Sequence, residues 1–264
     1  MSTLVLSQEG VMGDPFDEDP SIEGYPTPIW REALCGLDWL KLHLDPVYYW
    51  GCGVPRGHQE PVIVVPGFMG NDASLTELYA WLARIGYHPY FSHIGKNEDC
   101  PDYLAGVLLT TVNSVYEETG MKVRLIGQSL GGMLARSVAL DHPELVALVI
   151  SLGSPFRDQV KAHPLILKQA KKMREKIGQP GVNLKPACLS GHCVCPFNKN
   201  MLSPDPYQMP HFAIYSRYDG VAHWESCMES DPSLNDETDS THVGMAFHPD
   251  VYRAIGRRLA TRVN

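Results

Sequence analysis

The sequence has no excess of basic residues. Lysine and arginine together number 22 against 30 aspartates and glutamates, which gives a formal net charge of -8 at pH 7. A nucleic-acid-binding surface must neutralise phosphates with basic side chains, and this composition supplies no such surplus. We therefore expect no nucleic-acid partner.

Long apolar runs are also missing. No stretch approaches the roughly 20 consecutive apolar residues that cross a bilayer as a helix. Residues 1–26, rich in Asp, Glu, Pro and Gly, contain no basic segment followed by an apolar one, as a signal peptide would, and are typical of a poorly ordered arm. These absences predict a cytoplasmic protein without a transmembrane segment, and a secreted protein supplied in its mature form is the alternative.

The sequence lacks an even number of cysteines: it has seven, so they cannot all pair within one chain. Three of them stand alone in the sequence, and a small buried side chain is the expected role of each. These three are Cys35, Cys52 and Cys100.

The segment CLSGHCVC groups Cys188, Cys193 and Cys195, and Cys227 is the one later cysteine. If the protein is exported, a disulfide that closes this loop is the first interpretation. A zinc site that also uses His192 is less favoured, because the C-x-C pair departs from the usual C-x-x-C spacing of zinc ligands.

What the sequence does have is an alternation of strand-like and helix-like segments. Runs such as VIVV at 62–65 and VRLIG at 123–127 are typical of strands buried on both faces, and segments with helical periodicity separate them. Such units form a mostly parallel sheet with helices on both faces. We predict one α/β domain over residues 60–264, in which the alternation stops between about 154 and 210.

Residues 1–59 precede this domain as an arm and a helix. In the segment TPIWREALCGLDWLKLHL, Thr27 is the predicted N-cap and Pro28 the first helical residue. This helix is expected to pack on the body of the protein through side chains that recur at helical spacing. They are Ile29, Ala33, Leu37, Leu40 and Leu44.

The stretch VRLIGQSLGGML, residues 123–134, passes from a strand into a helix almost without a loop. In a G-x-S-x-G turn of this kind, Gly127 and Gly131 let strand and helix approach each other, and Ser129 is held in a strained conformation with its hydroxyl exposed. Leu130 then begins the helix, where its backbone N–H can stabilise an oxyanion. We predict that Ser129 is a nucleophile; a turn that serves packing alone is the alternative.

A serine nucleophile needs a base, and the base needs an acid that orients it. Asp219 follows the predicted strand HFAIYS, at the edge where site residues of open α/β sheets collect, and is the predicted acid. His242, on the loop before the last helix, is the predicted base, because His223 is too close to Asp219 in sequence and His248 begins that helix. His211 is expected to be a surface or capping residue.

The second oxyanion donor is predicted in VVPGFMG, residues 64–70, just after an earlier strand. Gly67 lets the backbone turn, and the N–H of Phe68 would then point into the same space as that of Leu130. An ordinary Pro-Gly turn is the alternative. Met69 and Phe156 are predicted to line an apolar substrate pocket.

The segments PGF, GQSLGG, YSRYDG and THVGM together resemble those that carry the oxyanion loop, nucleophile, acid and base in esterases and lipases of the α/β-hydrolase superfamily. The resemblance covers roughly residues 60–264 and implies a mostly parallel, doubly wound sheet with a helical cap inserted at about 154–210. Two positions depart from the pattern. Gln128 stands where lipases often have histidine before the nucleophile, and Pro66 stands where many oxyanion loops have histidine.

The resemblance implies a serine hydrolase that cleaves carboxylic esters of short to medium acyl chain through an acyl-enzyme. Its only expected partner is a small-molecule ester, and no metal or organic cofactor is expected. An acyltransferase, a thioesterase and a long-chain lipase use the same triad and stay open as alternatives. A binding protein without turnover is disfavoured, because the predicted triad is complete.

Overall fold

The described residues form one sheet of six parallel strands in the computed structural model, and four of these strands come from apolar runs of the sequence. The structure describes residues 26–158, 162–185, 187–188, 193–203 and 208–261. The strands are β1 (Pro61–Val65), β2 (His88–Phe91), β3 (Val123–Gln128), β4 (Val146–Leu152), β5 (His211–Ser216) and β6 (Asn235–Thr238).

Helices lie before, between and after these strands, and proline and glycine fix several of their ends. The longest begins at Pro101 and ends at Gly120, which adopts a left-handed conformation with φ 66°. Among the described helices, none combines the length and the apolar composition that a bilayer crossing requires. The helices are α1 (Cys35–Leu44), α2 (Pro46–Trp50), α3 (Thr76–Arg84), α4 (Pro101–Thr119), α5 (Leu130–Asp141), α6 (Pro164–Arg174), α7 (Pro196–Met201) and α8 (Pro249–Leu259).

The strand order places a crevice at the carboxyl ends of β1 and β3. The order is β2-β1-β3-β4-β5-β6, so the chain goes from β1 to one side and returns to begin β3 on the other. Loops that leave two neighbouring strands in opposite directions open a binding crevice between them. Val65 pairs with Gly127 in the sheet, so the loop after β1 and the turn after β3 start side by side.

Apolar side chains cover both faces of the sheet. The largest core cluster contains Trp81 of α3 and Tyr252 of α8, and the next largest contains Leu108 of α4. On the last helix, α8, Val251 and Ile255 are fully buried. The doubly wound α/β architecture is therefore as predicted.

The first helix packs on the body, but through a different face from the predicted one. The segment starts as a 3-10 turn, Ile29–Leu34, and only then becomes α1. A 3-10 helix has 3.0 residues per turn and an α-helix has 3.6. Side chains that recur at one fixed spacing along both pieces therefore do not stay on the same face. Leu37 and Leu44 are 54% and 78% exposed, whereas Asp38 and Leu42 are buried. Pro28 occupies the N-cap, and Thr27 instead donates its hydroxyl to a distant carbonyl, that of Gly220, at 2.5 Å.

The chain between β4 and β5 docks on the first turn of α4. Asp99, just before that helix, accepts hydrogen bonds from the Asn183 backbone N–H at 2.9 Å and side-chain amide at 2.8 Å. Asp102 accepts one from the Phe197 backbone N–H, where α7 begins, at 3.0 Å. Two carboxylates therefore anchor the inserted segment. Its description as a cap over residues 154–210, and the domain boundary at residue 60, stay predictions.

No disulfide joins any of the seven cysteines, all of which lie in described parts of the chain. The expected closure within the CLSGHCVC loop is thus not formed, and Cys188 instead has its Sγ 3.2 Å from that of Cys100. Burial raises the pKa of the Cys188 thiol to about 12. Of the three isolated cysteines, Cys100 is buried as expected, but Cys35 is half-buried and Cys52 is exposed. His192, the other proposed zinc ligand, lies outside the described residues.

Candidate active site

Ser129 occupies a sharp turn between β3 and α5. Its backbone has φ 51° and ψ -123°, a conformation that residues other than glycine adopt only under strain. The Ser129 backbone N–H donates to the carbonyl of Leu152, the last residue of β4, at 2.8 Å, and this bond fixes the turn to the sheet. The strand therefore ends with the serine at the carboxyl edge, over the crevice.

Glycines make this turn sterically possible. A Cβ on Gly127 would collide with the backbone of Gly131, and a Cβ on Gly131 would collide with the carbonyl oxygens of Val65 and Pro66. The first contact is strand against helix, and the second is helix against the loop after β1. The spacing of the G-x-S-x-G pattern is thus required by the close approach of three backbone segments.

The loop after β1 lies directly beside the serine. A Cβ on Gly67 would be 3.2 Å from the Cβ of Ser129. Neither the Phe68 nor the Leu130 backbone N–H donates to another group in the described part of the chain, and Leu130 is the first residue of α5, where such N–H groups are exposed by helix geometry. Both groups are thus available as donors at this edge, as the oxyanion hypothesis requires.

Asn97, which the sequence analysis did not single out, holds this loop in shape. Its side-chain amide donates to the Pro66 carbonyl at 2.9 Å. Its backbone carbonyl accepts from the Met69 N–H and its N–H donates to the Gly70 carbonyl, both at 2.8 Å. The Asn97 side chain is fully buried. Nothing in its local sequence distinguishes it, because all these partners belong to the loop after β1, and β2 and α3 separate that loop from Asn97 in the chain.

The predicted acid and base are in direct contact. His242 Nδ1 lies 2.7 Å from Asp219 Oδ2, and both side chains are buried. The other carboxylate oxygen, Oδ1, accepts the backbone N–H groups of Val221 and Ala222, each at 2.8 Å, so the carboxylate cannot rotate freely. This geometry leaves Nε2 as the imidazole nitrogen available for other chemistry.

Residues around the serine and the histidine are also in contact. Gln128, the residue before Ser129, donates its side-chain amide to the His242 carbonyl at 3.1 Å. On the other side, a Cβ on Gly153, just after β4, would lie 3.1 Å from Asp219 Oδ2. The turn after β3 and the loops after β4, β5 and β6 therefore meet at one edge of the sheet.

Burial and charge act in opposite directions on His242. Burial lowers the pKa of its imidazole, but the Asp219 carboxylate, through its charge and its hydrogen bond, and the charge of Glu32 outweigh that effect and raise the pKa above the usual 6.5. For His248 the balance is reversed. Burial lowers its pKa below 6.5 in spite of Asp239 and Asp38.

We expect these two buried histidines to titrate on opposite sides of 6.5, His242 above and His248 below. An NMR pH titration of the imidazole resonances measures both, and a His248→Gln variant assigns the lower one. Two pKa values on the same side of 6.5 would contradict the prediction.

The two predicted substrate-binding residues lie in different surroundings. Met69 is 45% exposed at the loop after β1, with φ 62°. Phe156 is buried, and its ring packs against the Arg136 guanidinium, 4.8 Å from the ring centroid, and the His211 imidazole, 4.9 Å away. Substrate contact stays a prediction for both, and Phe156 has core contacts.

A serine and a histidine outside the proposed triad, Ser151 and His211, are in contact in the core. His211 lies with Nε2 3.1 Å from Ser151 Oγ and Nδ1 2.5 Å from Glu229 Oε1, and Arg136 lies 3.3 Å from the same Glu229 oxygen. His211 is therefore buried, and its prediction as a surface or capping residue is wrong. The Ser151 hydroxyl is fully buried within β4 and donates to the Phe212 carbonyl at 3.4 Å. A substrate cannot reach it, so we interpret this group as a hydrogen-bonded buried charge network.

One cluster of possible metal ligands occurs among the described residues, formed by Asp239, His248 and Asp250. His248 Nδ1 accepts the Asp250 backbone N–H at 3.3 Å, so the proton of the neutral ring is on Nε2, which lies 3.1 Å from Asp239 Oδ1. Both ring nitrogens thus have hydrogen-bond partners. The imidazole caps α8, and His248 thus marks the start of the last helix, as predicted.

Sequence comparisons find esterases and lipases. A family model described as "Putative esterase" matches residues 57–231. Triacylglycerol lipases of Pseudarthrobacter phenanthrenivorans and Burkholderia plantarii are each 36% identical to this chain over 106 residues, which is 37% of this chain and 33% and 30% of theirs. The match therefore spans about a third of the length of these curated relatives.

Structural comparisons find the same fold. A lipase of Bacillus licheniformis in its mature form has a TM-score of 0.57 at 16% identity, over 79% of this chain and 94% of that one. A metagenomic carboxyl esterase has a TM-score of 0.58 at 10% identity, over 97% and 95%. The prediction of an α/β-hydrolase fold is confirmed.

Proposed function

Because this chain belongs to the Esterase family, we propose that it is a serine hydrolase that cleaves carboxylic esters through an acyl-enzyme on Ser129. The observation that carries the proposal is the 2.7 Å contact between His242 and Asp219 at the edge of the sheet where Ser129 is held in its strained turn. Serine nucleophiles require a base that is oriented by a carboxylate, and His242 with the buried Asp219 supplies such a base at the edge of the sheet that carries Ser129.

In the proposed mechanism, His242 Nε2 takes the proton of the Ser129 hydroxyl as its oxygen attacks the ester carbonyl. Asp219 holds the imidazole orientation and stabilises the cation that forms. The oxyanion of the tetrahedral intermediate accepts hydrogen bonds from the backbone N–H groups of Leu130 and Phe68, which are fixed before substrate binds. His242 then protonates the leaving alcohol, and water activated by the same imidazole releases the acid.

We expect p-nitrophenyl esters of short to medium acyl chain to be hydrolysed faster than the palmitate. The half-buried Phe68 and the exposed Met69 offer apolar surface beside Ser129, and an apolar acyl site favours carboxylic esters over charged substrates. A panel from acetate to palmitate, measured as kcat/KM, gives the preference. Absence of hydrolysis across the whole panel would refute the proposal, and preferential transfer to an added alcohol would indicate an acyltransferase.

A second candidate is hydrolysis of long-chain triacylglycerols. The sequence similarity to two triacylglycerol lipases favours it. Its test is the release of fatty acid from emulsified long-chain triacylglycerol, with a short-chain triacylglycerol as the comparison. A rate that is higher on the long-chain emulsion would select the lipase over the esterase.

A further inference from the structure

Glu32 connects the two loops that carry the proposed acid and base. Its Oε1 accepts the backbone N–H of Gly220 at 2.9 Å and that of His242 at 3.0 Å, and its Oε2 accepts the N–H of Val243 at 2.8 Å. Gly220 directly follows Asp219. One carboxylate thus takes three main-chain hydrogen bonds from two loops that β6 separates in the chain.

This side chain comes from the 3-10 turn Ile29–Leu34, which lies outside residues 57–231 matched by the family model. The fit is close. A Cβ on Gly220 would lie 2.8 Å from Glu32 Oε1, so a glycine at this position permits the carboxylate to approach the main chain. Thr27 strengthens the contact by donating its hydroxyl to the Gly220 carbonyl at 2.5 Å. The segment around Glu32 therefore holds the acid loop through both its N–H and its C=O.

The base loop has a second acidic partner. Asp38 Oδ2 accepts the Thr241 backbone N–H at 3.1 Å and the Thr241 hydroxyl at 2.9 Å. Asp38 is itself paired with Lys41, 3.6 Å away, which offsets its charge. The charges that act on the His242 imidazole are those of Asp219 and Glu32.

We propose that Glu32 is a positioning residue of the triad, whose carboxylate ties the Asp219 loop to the His242 loop and favours the imidazolium that forms during attack by Ser129. This inference rests on the proposed function. Hydrogen bonds to an ionised acceptor are stronger than neutral ones, so three N–H donors hold the carboxylate firmly and are held by it. The negative charge stays close to the imidazole throughout the reaction.

The test compares Glu32→Gln and Glu32→Asp with Glu117→Gln. Glu117 is an exposed glutamate near the end of α4, at the opposite edge of the sheet, where β3 begins. We expect Glu32→Gln to lower kcat on a p-nitrophenyl ester about tenfold, as loss of a charge-assisted hydrogen bond does, with KM within about twofold. The Glu117→Gln variant should match the wild type.

The pH profile separates positioning from mere stabilisation. A neutral glutamine removes one negative charge near His242, so the imidazole pKa falls and the acidic limb of kcat/KM moves to lower pH. Glu32→Asp keeps the charge and should keep the limb, while the shorter side chain lowers kcat. If Glu32→Gln leaves both kcat and the limb unchanged, or changes only the melting temperature, the inference is overturned.

A direct titration keeps this test apart from the fate of the proposed function. The His242 imidazole is followed by NMR in wild type and Glu32→Gln, and its pKa is expected to be lower in the variant whether or not any ester is turned over. Unchanged titration would overturn the role of Glu32 alone. If the wild-type protein hydrolyses no ester but the His242 pKa is still lower in Glu32→Gln, the charge of Glu32 acts on His242 without a catalytic role, and the inference is overturned in that respect.

Discussion

Replacement of Ser129 by alanine is expected to lower kcat about 10⁵- to 10⁶-fold, whereas replacement of Ser151 by alanine leaves kcat within about twofold of wild type. Loss of the nucleophile from a serine triad removes nearly all of its catalysis. Alanine keeps the Cβ of Ser129, so the strained turn is unchanged and the protein still folds. Rates on a short-chain p-nitrophenyl ester, with circular dichroism as the check on folding, measure the difference.

Ser151→Ala is the matched control, because Ser151 is a serine within hydrogen-bond distance of a histidine, His211. Its hydroxyl is one partner of His211 in a fully buried network. We expect the free energy of unfolding to fall by about 1–2 kcal/mol, since a buried hydrogen-bonding group loses its partner. Full activity in Ser129→Ala together with an inactive Ser151→Ala would move the nucleophile to β4 and refute the assignment.

Replacement of Asp219 by asparagine is expected to lower kcat about 10⁴-fold with little change in KM. In a serine triad this substitution leaves the geometry in place but favours the wrong imidazole tautomer. Here the Val221 and Ala222 N–H groups require an oxygen at the Oδ1 position. An asparagine must therefore direct its NH2 group at His242 Nδ1, which becomes an acceptor, and the proton moves to Nε2.

The control for this substitution is Asp231→Asn. Asp231 caps a short turn by accepting the Ser233 N–H at 2.8 Å, and asparagine caps as well as aspartate does. Activity should be unchanged in this variant. Nitrogen chemical shifts of His242 report the tautomer directly, and a wild-type kcat in Asp219→Asn would show that another group orients the base.

The sequence predicts the turn at Ser129 well because that turn depends on local constraints. Three glycines and a serine follow an apolar strand within one short stretch, and the close backbone approaches that they permit occur within the same stretch or with the neighbouring strand. Four of the strands, β1, β3, β4 and β5, are predictable because they are short, apolar and buried. The last strand, β6, is polar and only partly buried. Local pattern and final structure agree wherever the relevant neighbours are near in sequence.

Predictions are wrong where distant partners decide the outcome. Helical spacing predicts Leu37 inside, but Asp38 is buried instead, because Thr241 supplies its hydrogen bonds. His211 does not lie near the surface, because Ser151 of the neighbouring strand and Glu229 from beyond β5 enclose it. Glu32 has partners 188 and 210 residues later in the chain. No window of sequence contains these pairs.

The position of Glu32 affects where an expression fragment of this protein can begin. The family model matches residues 57–231, yet the carboxylate of Glu32, upstream of that stretch, bridges the two loops that carry the proposed acid and base. An expression fragment trimmed to the recognisable stretch would keep every proposed catalytic group up to residue 231, and an extended one would keep His242 too, but neither would keep the tie between acid and base. The part of the chain that matches the family model is therefore shorter than the part that holds the proposed acid and base together.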